Sequence, residues 1–257
     1  MNAKVWLVGA GPGDPELLTL KAVRALTEAQ VVMIDDLVNP AVLAHCPQAR
    51  VIAVGKRGGC RSTPQAFIQR LMLRHARQGR CVVRLKGGDP CIFGRGGEEA
   101  LWLQGHGIEV EVVNGITAGL AGATQCGIPL TLRGVSRGVT LLTAHTQDDS
   151  ELDWQALARG GTTLVLYMGV ARLEQIRQGL LEGGMAPGTP VAMIENASLP
   201  QQRECRSHLA ALEADARAFG LRSPAILVIG EVVRPSVVAA LCRERAAERP
   251  RQLMHQG

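Results

Sequence analysis

A chain of 257 residues, 46% hydrophobic and 20% charged, has room for about two domains with cores of their own. A formal charge of +5 suits a polyanionic ligand, but the charges are mixed rather than gathered into a stripe. With aromatics at 3%, the stacking platforms of a single-stranded nucleic acid site are lacking. Seven scattered cysteines, with no C-x-x-C or zinc-type spacing, point to free thiols in a reducing compartment rather than to a metal or a redox pair.

The amino terminus has no signal-peptide layout, and no apolar run nears the ~20 residues of a membrane span, so a soluble cytoplasmic protein is expected. Val5 to Val8 is an apolar run that enters GAGPGDP, which reads as a buried strand and a tight turn. Asp14 is placed to cap the helix that follows, with Pro15 at its first position. Further apolar runs at Val31 to Ile34, Val51 to Val54, Val82 to Leu85 and Val110 to Val113 alternate with helical stretches at 64–78 and 97–106. That alternation predicts an α/β domain on a mainly parallel sheet.

The pattern restarts at Asn114. A small-residue helical stretch at 117–126 is followed by apolar runs at 139–142, 163–168, 191–194 and 225–229. Helical patterns at 153–159, 171–181 and 209–218 lie between them. The expected organisation is two α/β domains, 1–113 and 114–235, with a cleft between them. A basic tail at 236–257 is read as a terminal helix that frays.

The densest chemistry lies at Val83 to Glu99, VRLKGGDPCIFGRGGEE, where an apolar strand runs into a loop and then a helix start. Five glycines, Gly87, Gly88, Gly94, Gly96 and Gly97, read as a backbone that approaches a ligand closely; Lys86, Asp89 and Arg95 add both charge signs. The turn at Gly9 to Asp14 invites a dinucleotide reading. Its third glycine comes one position early, however, and Pro12 removes an N–H that a pyrophosphate would use. A tight loop beside a ligand without phosphate is the alternative.

Asp35 and Lys56 end successive strands at the carboxyl edge, where ligands of open α/β sheets collect. They read either as proton acceptor and donor or as a strand-end ion pair, with each other or with Arg57. Arg95, Glu98 and Arg133 form a second group, in which loop arginines suit bidentate capture of carboxylates. His145 ends a strand and reads as a site residue or a structural one. No serine elbow, phosphate loop or zinc helix motif occurs.

Six segments in order, VGAGPGDPELLTLKAVRAL, VGKRGG, VVRLKGGDPCIFGRGGEE, NGITAG, GIPLTLRG and LYMG, resemble the tetrapyrrole methylase family. GAGPGD and the GGDP loop carry the family likeness. GRGGEE, GIPLT and LYMG narrow it to the branch that methylates uroporphyrinogen III on two pyrrole carbons to give precorrin-2, on the way to cobalamin, sirohaem or haem d1. The resemblance implies a homodimer of two α/β domains with S-adenosylmethionine as methyl donor in the interdomain cleft and no metal. Cofactor contacts would then be Pro12, Gly87, Gly88, Asp89, Ile92, Thr117, Ala118, Met168 and Ala197, the last standing where many relatives have glycine. It also implies Asp35 and Lys56 as proton acceptor and donor, and Arg95, Glu98 and Arg133 as substrate-handling residues. Neither nucleic acid nor membrane is an implied partner.

Overall fold

The computed structural model describes residues 4–55, 63–144 and 152–234. Lys56, Arg57, His145 and the basic tail fall outside the described residues. The chain divides into two compact units. One holds the chain up to Ala121 together with Ser198–Pro200; the other holds Gly122–Ala197 and the chain from Gln201 on.

In the first unit, β1 (Lys4–Gly9), β2 (Val31–Ile34), β3 (Arg50–Ala53), β4 (Val82–Lys86) and β5 (Glu109–Val113) form a wholly parallel sheet of order β3-β2-β4-β1-β5. Side chains alternate across it, as the period of two requires. Trp6, Val8, Val32, Val83 and Leu85 pack with Ala22, Ala25 and Leu26 of α1 (Leu20–Glu28) on one face. Val5, Leu7, Val31, Met33 and Val82 pack on the other, with Ile68 and Met72 of α2 (Gln65–Arg77) and Leu103 of α3 (Gly96–Gln104).

The loop leaving β1 therefore leads to a helix on one face, and the loop leaving the adjacent β4 leads to a helix on the other. In an open parallel sheet such a point leaves a crevice at the carboxyl ends of the strands, where ligands bind.

One local expectation is corrected. Asp14 does cap, its Oδ1 accepting from Glu16 N at 2.9 Å, but what it caps is a single 3-10 turn at Pro15–Leu17. The α-helix begins at Leu20 and is capped by Thr19, whose Oγ1 accepts from Ala22 N at 3.1 Å. The amino terminus of α1 therefore does not open directly from the glycine turn, and a dinucleotide pyrophosphate loses the donor that this helix would supply.

The second unit has β6 (Val139–Thr143), β7 (Thr163–Tyr167), β8 (Pro190–Glu195), β9 (Arg203–His208) and β10 (Ala225–Ile229) in the order β6-β7-β10-β8-β9. Only β6 and β7 pair in parallel; the other three ladders are antiparallel, so this sheet is mixed. Helices α5 (Trp154–Arg159), α6 (Leu173–Glu182) and α7 (Leu212–Phe219) contribute Trp154, Ile176, Leu180, Leu212 and Ala216 to its core. Both sheets carry helices, as an α/β architecture requires. Helix α4 (Ala118–Gln125) contains the point at which the two units divide.

Candidate functional site

Three loops are stitched together at the carboxyl edge of the first sheet. The loop after β1 and the loop after β4 exchange backbone hydrogen bonds: Gly88 N donates to Gly11 O at 2.7 Å, and Gly11 N donates to Gly88 O at 3.2 Å. The loop after β5 closes on both. A Cβ on Gly115 would collide with Gly88 O, and one on Gly9 would stand 2.5 Å from Gly115 N. Side chains are excluded here by backbone approaching backbone.

Asp89 fastens the third loop. Its Oδ1 accepts from Cys91 N at 2.7 Å, which makes the GGDP turn; its Oδ2 accepts from Gly115 N and Asn114 Nδ2, each at 3.1 Å. The carboxylate is buried and both its oxygens already serve protein donors.

The glycines of this loop serve different purposes from those the sequence suggests. A Cβ on Gly94 or Gly96 would meet Pro90 O at 2.7 and 2.5 Å, so these two let the loop fold on itself rather than admit a ligand. Gly97 has open space around its Cβ position, and Gly87 abuts Leu37. Gly88 is left-handed at φ 68° and faces Thr117, whose Cα would lie 3.7 Å from an added Cβ.

Pro12, Gly87, Gly88, Asp89 and Thr117 thus lie on three loops at one sheet edge, with Ala118 opening α4 directly after them and half-buried Ile92 further along the β4 loop. Asp35 follows β2 at the same edge. Arg95 opens α3 at φ 59°, and its fork is already engaged. Nε lies 3.1 Å from both carboxylate oxygens of Glu98, and Nη2 lies 2.6 Å from Oε2. This hydrogen bond holds the Glu98 carboxyl below the ordinary carboxylate range and raises the guanidinium.

In the second unit, β7 and β8 both run antiparallel to β10, so Met168 and the Asn196–Ala197 pair share one end of that sheet. Met168 and Asn196 have φ of 55° and 53°. Such values are rare outside glycine and collect at binding sites. Arg133 is exposed on a tight turn closed by reciprocal 2.9 Å hydrogen bonds between Leu132 and Ser136.

A buried charged cluster escaped the sequence reading. Arg84, inside the apolar run of β4, and Lys86 at its end lie on the α2 and α3 side of the sheet. Glu99 of α3 is fully buried between them, 3.6 Å from Arg84 Nε and 3.2 Å from Lys86 Nζ, and accepts from Gln65 Nε2 at 2.6 Å. Arg84 Nη2 reaches Asp35 Oδ2 at 3.3 Å. Burial, with Arg84 beside it, lowers the Lys86 ammonium despite the Glu99 charge. The signal was present: two cations at i and i+2 of a central strand must share a face and need a buried counter-charge.

The described cysteines are free, and burial pushes several thiols up, Cys126 to about 12, so none of those is an activated nucleophile. Among the described residues no group of three or more His, Cys, Asp or Glu is arranged for a metal, and no helix is long and apolar enough to cross a membrane.

Residues 4–213 match the model of the tetrapyrrole (corrin/porphyrin) methylases. The chain belongs to that family. It is 77% identical over 237 residues to a uroporphyrinogen-III C-methyltransferase of Pseudomonas aeruginosa, covering 92% of this chain and 97% of the relative. The solved uroporphyrin-III C-methyl transferase of Thermus thermophilus, complexed with S-adenyl homocysteine, superposes with a TM-score of 0.76 at 46% identity over 90% of this chain and 93% of that one. A sirohaem synthase of Xylella fastidiosa is 50% identical over 90% of this chain, which spans only 49% of that longer relative.

Proposed function

We propose that this methylase transfers two methyl groups from S-adenosylmethionine to pyrrole carbons of uroporphyrinogen III, giving precorrin-2. The observation that carries the reading is the three-loop cradle at the sheet edge, where backbone packs on backbone at Gly9, Gly88 and Gly115 and α4 opens beside Gly88. It fits a ligand held by backbone contact, and the relatives' names supply the chemistry.

A sulfonium is already a good leaving group. The methyl carbon passes to a nucleophilic pyrrole carbon, the bonding pair stays on sulfur, and the tetrapyrrole sheds a proton to a base. The protein's tasks are alignment, exclusion of water and proton removal. No metal is needed for any of them.

Asp35 is the better base. Arg95 is held cationic by Glu98, and a guanidinium is not deprotonated at working pH. Arg95 is assigned instead to a substrate carboxylate, with Glu98 occupying the fork until substrate arrives, and Arg133 to another carboxylate of the same polyanion. Lys56 is the proton donor in this reading. Pro12, Gly87, Gly88, Ile92, Thr117, Ala118, Met168 and Ala197 contact the methyl donor, and Asp89 shapes the loop that does so. The working form is a cytoplasmic homodimer.

Calorimetry tests the cofactor assignment. Binding of S-adenosylhomocysteine with none of NAD is expected; binding of NAD alone would overturn it.

A further inference from the structure

We propose that Arg84 is a positioning residue that acts through Asp35, with Glu99 as the buried counter-charge that makes this possible. The inference rests on the reading of Asp35 as proton acceptor and goes beyond it by naming what holds that carboxylate.

The strand register brings the pair together. β2 and β4 run parallel with Met33 opposite Arg84 and Ile34 opposite Leu85, so the first residue past β2 lies beside the end of β4. Arg84 is almost wholly buried, which is costly unless its charge is paired. Its Nη1 donates to Leu85 O at 3.1 Å and Met33 O at 3.4 Å, so the guanidinium plane is fixed by backbone of both strands. Nη2 is left pointing at Asp35 Oδ2.

Glu99 sits behind the guanidinium. It compensates Arg84 and Lys86 together and is itself anchored by Gln65. Asp35 Oδ1 is buried and has no hydrogen-bond partner among the described residues. Because Oδ1 is shut away from solvent, the exposure that the Asp35 side chain keeps is not on that oxygen; Oδ2, clamped by Arg84, retains a second lone pair to accept a proton. A rigid clamp of this kind sets the approach of a base to its proton, and small displacements of such groups cost on the order of a hundred-fold in rate.

Arg84→Lys separates charge from clamp, because it leaves a cation for Glu99 but removes the planar fork. The experiment compares Arg84→Lys, Asp35→Asn and the double variant. It measures methyl transfer from labelled S-adenosylmethionine to uroporphyrinogen III and, by calorimetry, affinity for S-adenosylhomocysteine. Arg84→Lys is expected to bind S-adenosylhomocysteine as the parent does and to lose on the order of ten- to a hundred-fold in kcat. The double variant is expected to be no slower than Asp35→Asn alone, since effects through one group do not add.

Parent-level kcat in Arg84→Lys overturns the inference. So does a double variant slower than Asp35→Asn by the full Arg84→Lys factor, or a loss of turnover explained entirely by lost S-adenosylhomocysteine binding. Parent-level turnover in Asp35→Asn instead removes the reading of Asp35 as base, and the positioning role with it. An inactive Asp35→Asn beside a fully active Arg84→Lys removes the positioning role alone. Should Arg84→Lys fail to fold, the pair Arg84→Gln/Glu99→Gln, which deletes one charge of each sign, takes its place with the same expected and contradicting results.

Discussion

Asp89 Oδ2 accepts a hydrogen bond from the backbone amide of Gly115 at 3.1 Å, across 26 positions of sequence. Through this contact the loop after β4 holds the loop after β5. Asp89→Ala removes the acceptor for three protein donors at a buried position, and leaving such donors unpaired costs about 1–3 kcal/mol for each fully buried group. We expect Asp89→Ala to lower the melting temperature and S-adenosylhomocysteine affinity together, and Asp89→Asn to recover part of both. Undiminished stability with lost affinity would instead mean that the carboxylate meets the ligand directly.

The close approach of Gly9, Gly88 and Gly115 gives a second expectation. Gly115→Ala forces a Cβ into Gly88 O and should yield little folded protein or none that binds S-adenosylhomocysteine. Gly97→Ala, in the first turn of α3 with open space around it, should stabilise by about 0.5–1 kcal/mol because glycine is the poorer helix former. Urea unfolding of the two variants separates the glycine that geometry demands from the one it does not.

Arg95 and Glu98 provide the third. Arg95→Lys keeps the charge but loses the fork, so KM for uroporphyrinogen III should rise and turnover fall while S-adenosylhomocysteine affinity holds. Both side chains are well exposed, so Glu98→Gln should change stability by well under about 1 kcal/mol. Wild-type kinetics in Arg95→Lys would move the carboxylate clamp to Arg133.

A pH dependence follows from Glu195, which precedes Asn196 and Ala197. Burial pushes its carboxyl up, but the Arg203 guanidinium at 2.6 Å and the Arg222 amide at 3.0 Å more than offset this and hold it below the usual value of 4.5. A group depressed on folding stabilises above its unfolded pKa and loses that contribution as pH falls through its folded one. Glu195→Gln should therefore cost about 1–3 kcal/mol at pH 7, and less and less as pH drops below 4.5. A pH-independent cost would assign the effect to packing.

The central strands β1, β2 and β4 were legible because each is a short, largely apolar run closed by turn residues, with both faces buried. The same rule hid Arg84, since an apolar window tolerates one charge and says nothing of Glu99, fifteen positions on in another element. β9 was missed for the opposite reason. Arg203–His208 reads RECRSH, polar and exposed at the edge of its sheet, where pairing with β8 and not side-chain burial defines the strand. Asp89 and Gly88 were recognisable as special from the GGDP motif. What they touch was not, because the partners Gly11 and Gly115 come from loops that only the strand order β4-β1-β5 brings together.

Methyl transfer itself gives the most direct test. The full chain is incubated anaerobically with uroporphyrinogen III and methyl-labelled S-adenosylmethionine, and the tetrapyrrole product is analysed by mass and by the position of the label. Two labelled methyl groups on pyrrole carbons of one tetrapyrrole, with S-adenosylhomocysteine released in step, are expected. Uroporphyrinogen III recovered unlabelled, while another tetrapyrrole accepts the methyl group under the same conditions, would contradict the assignment.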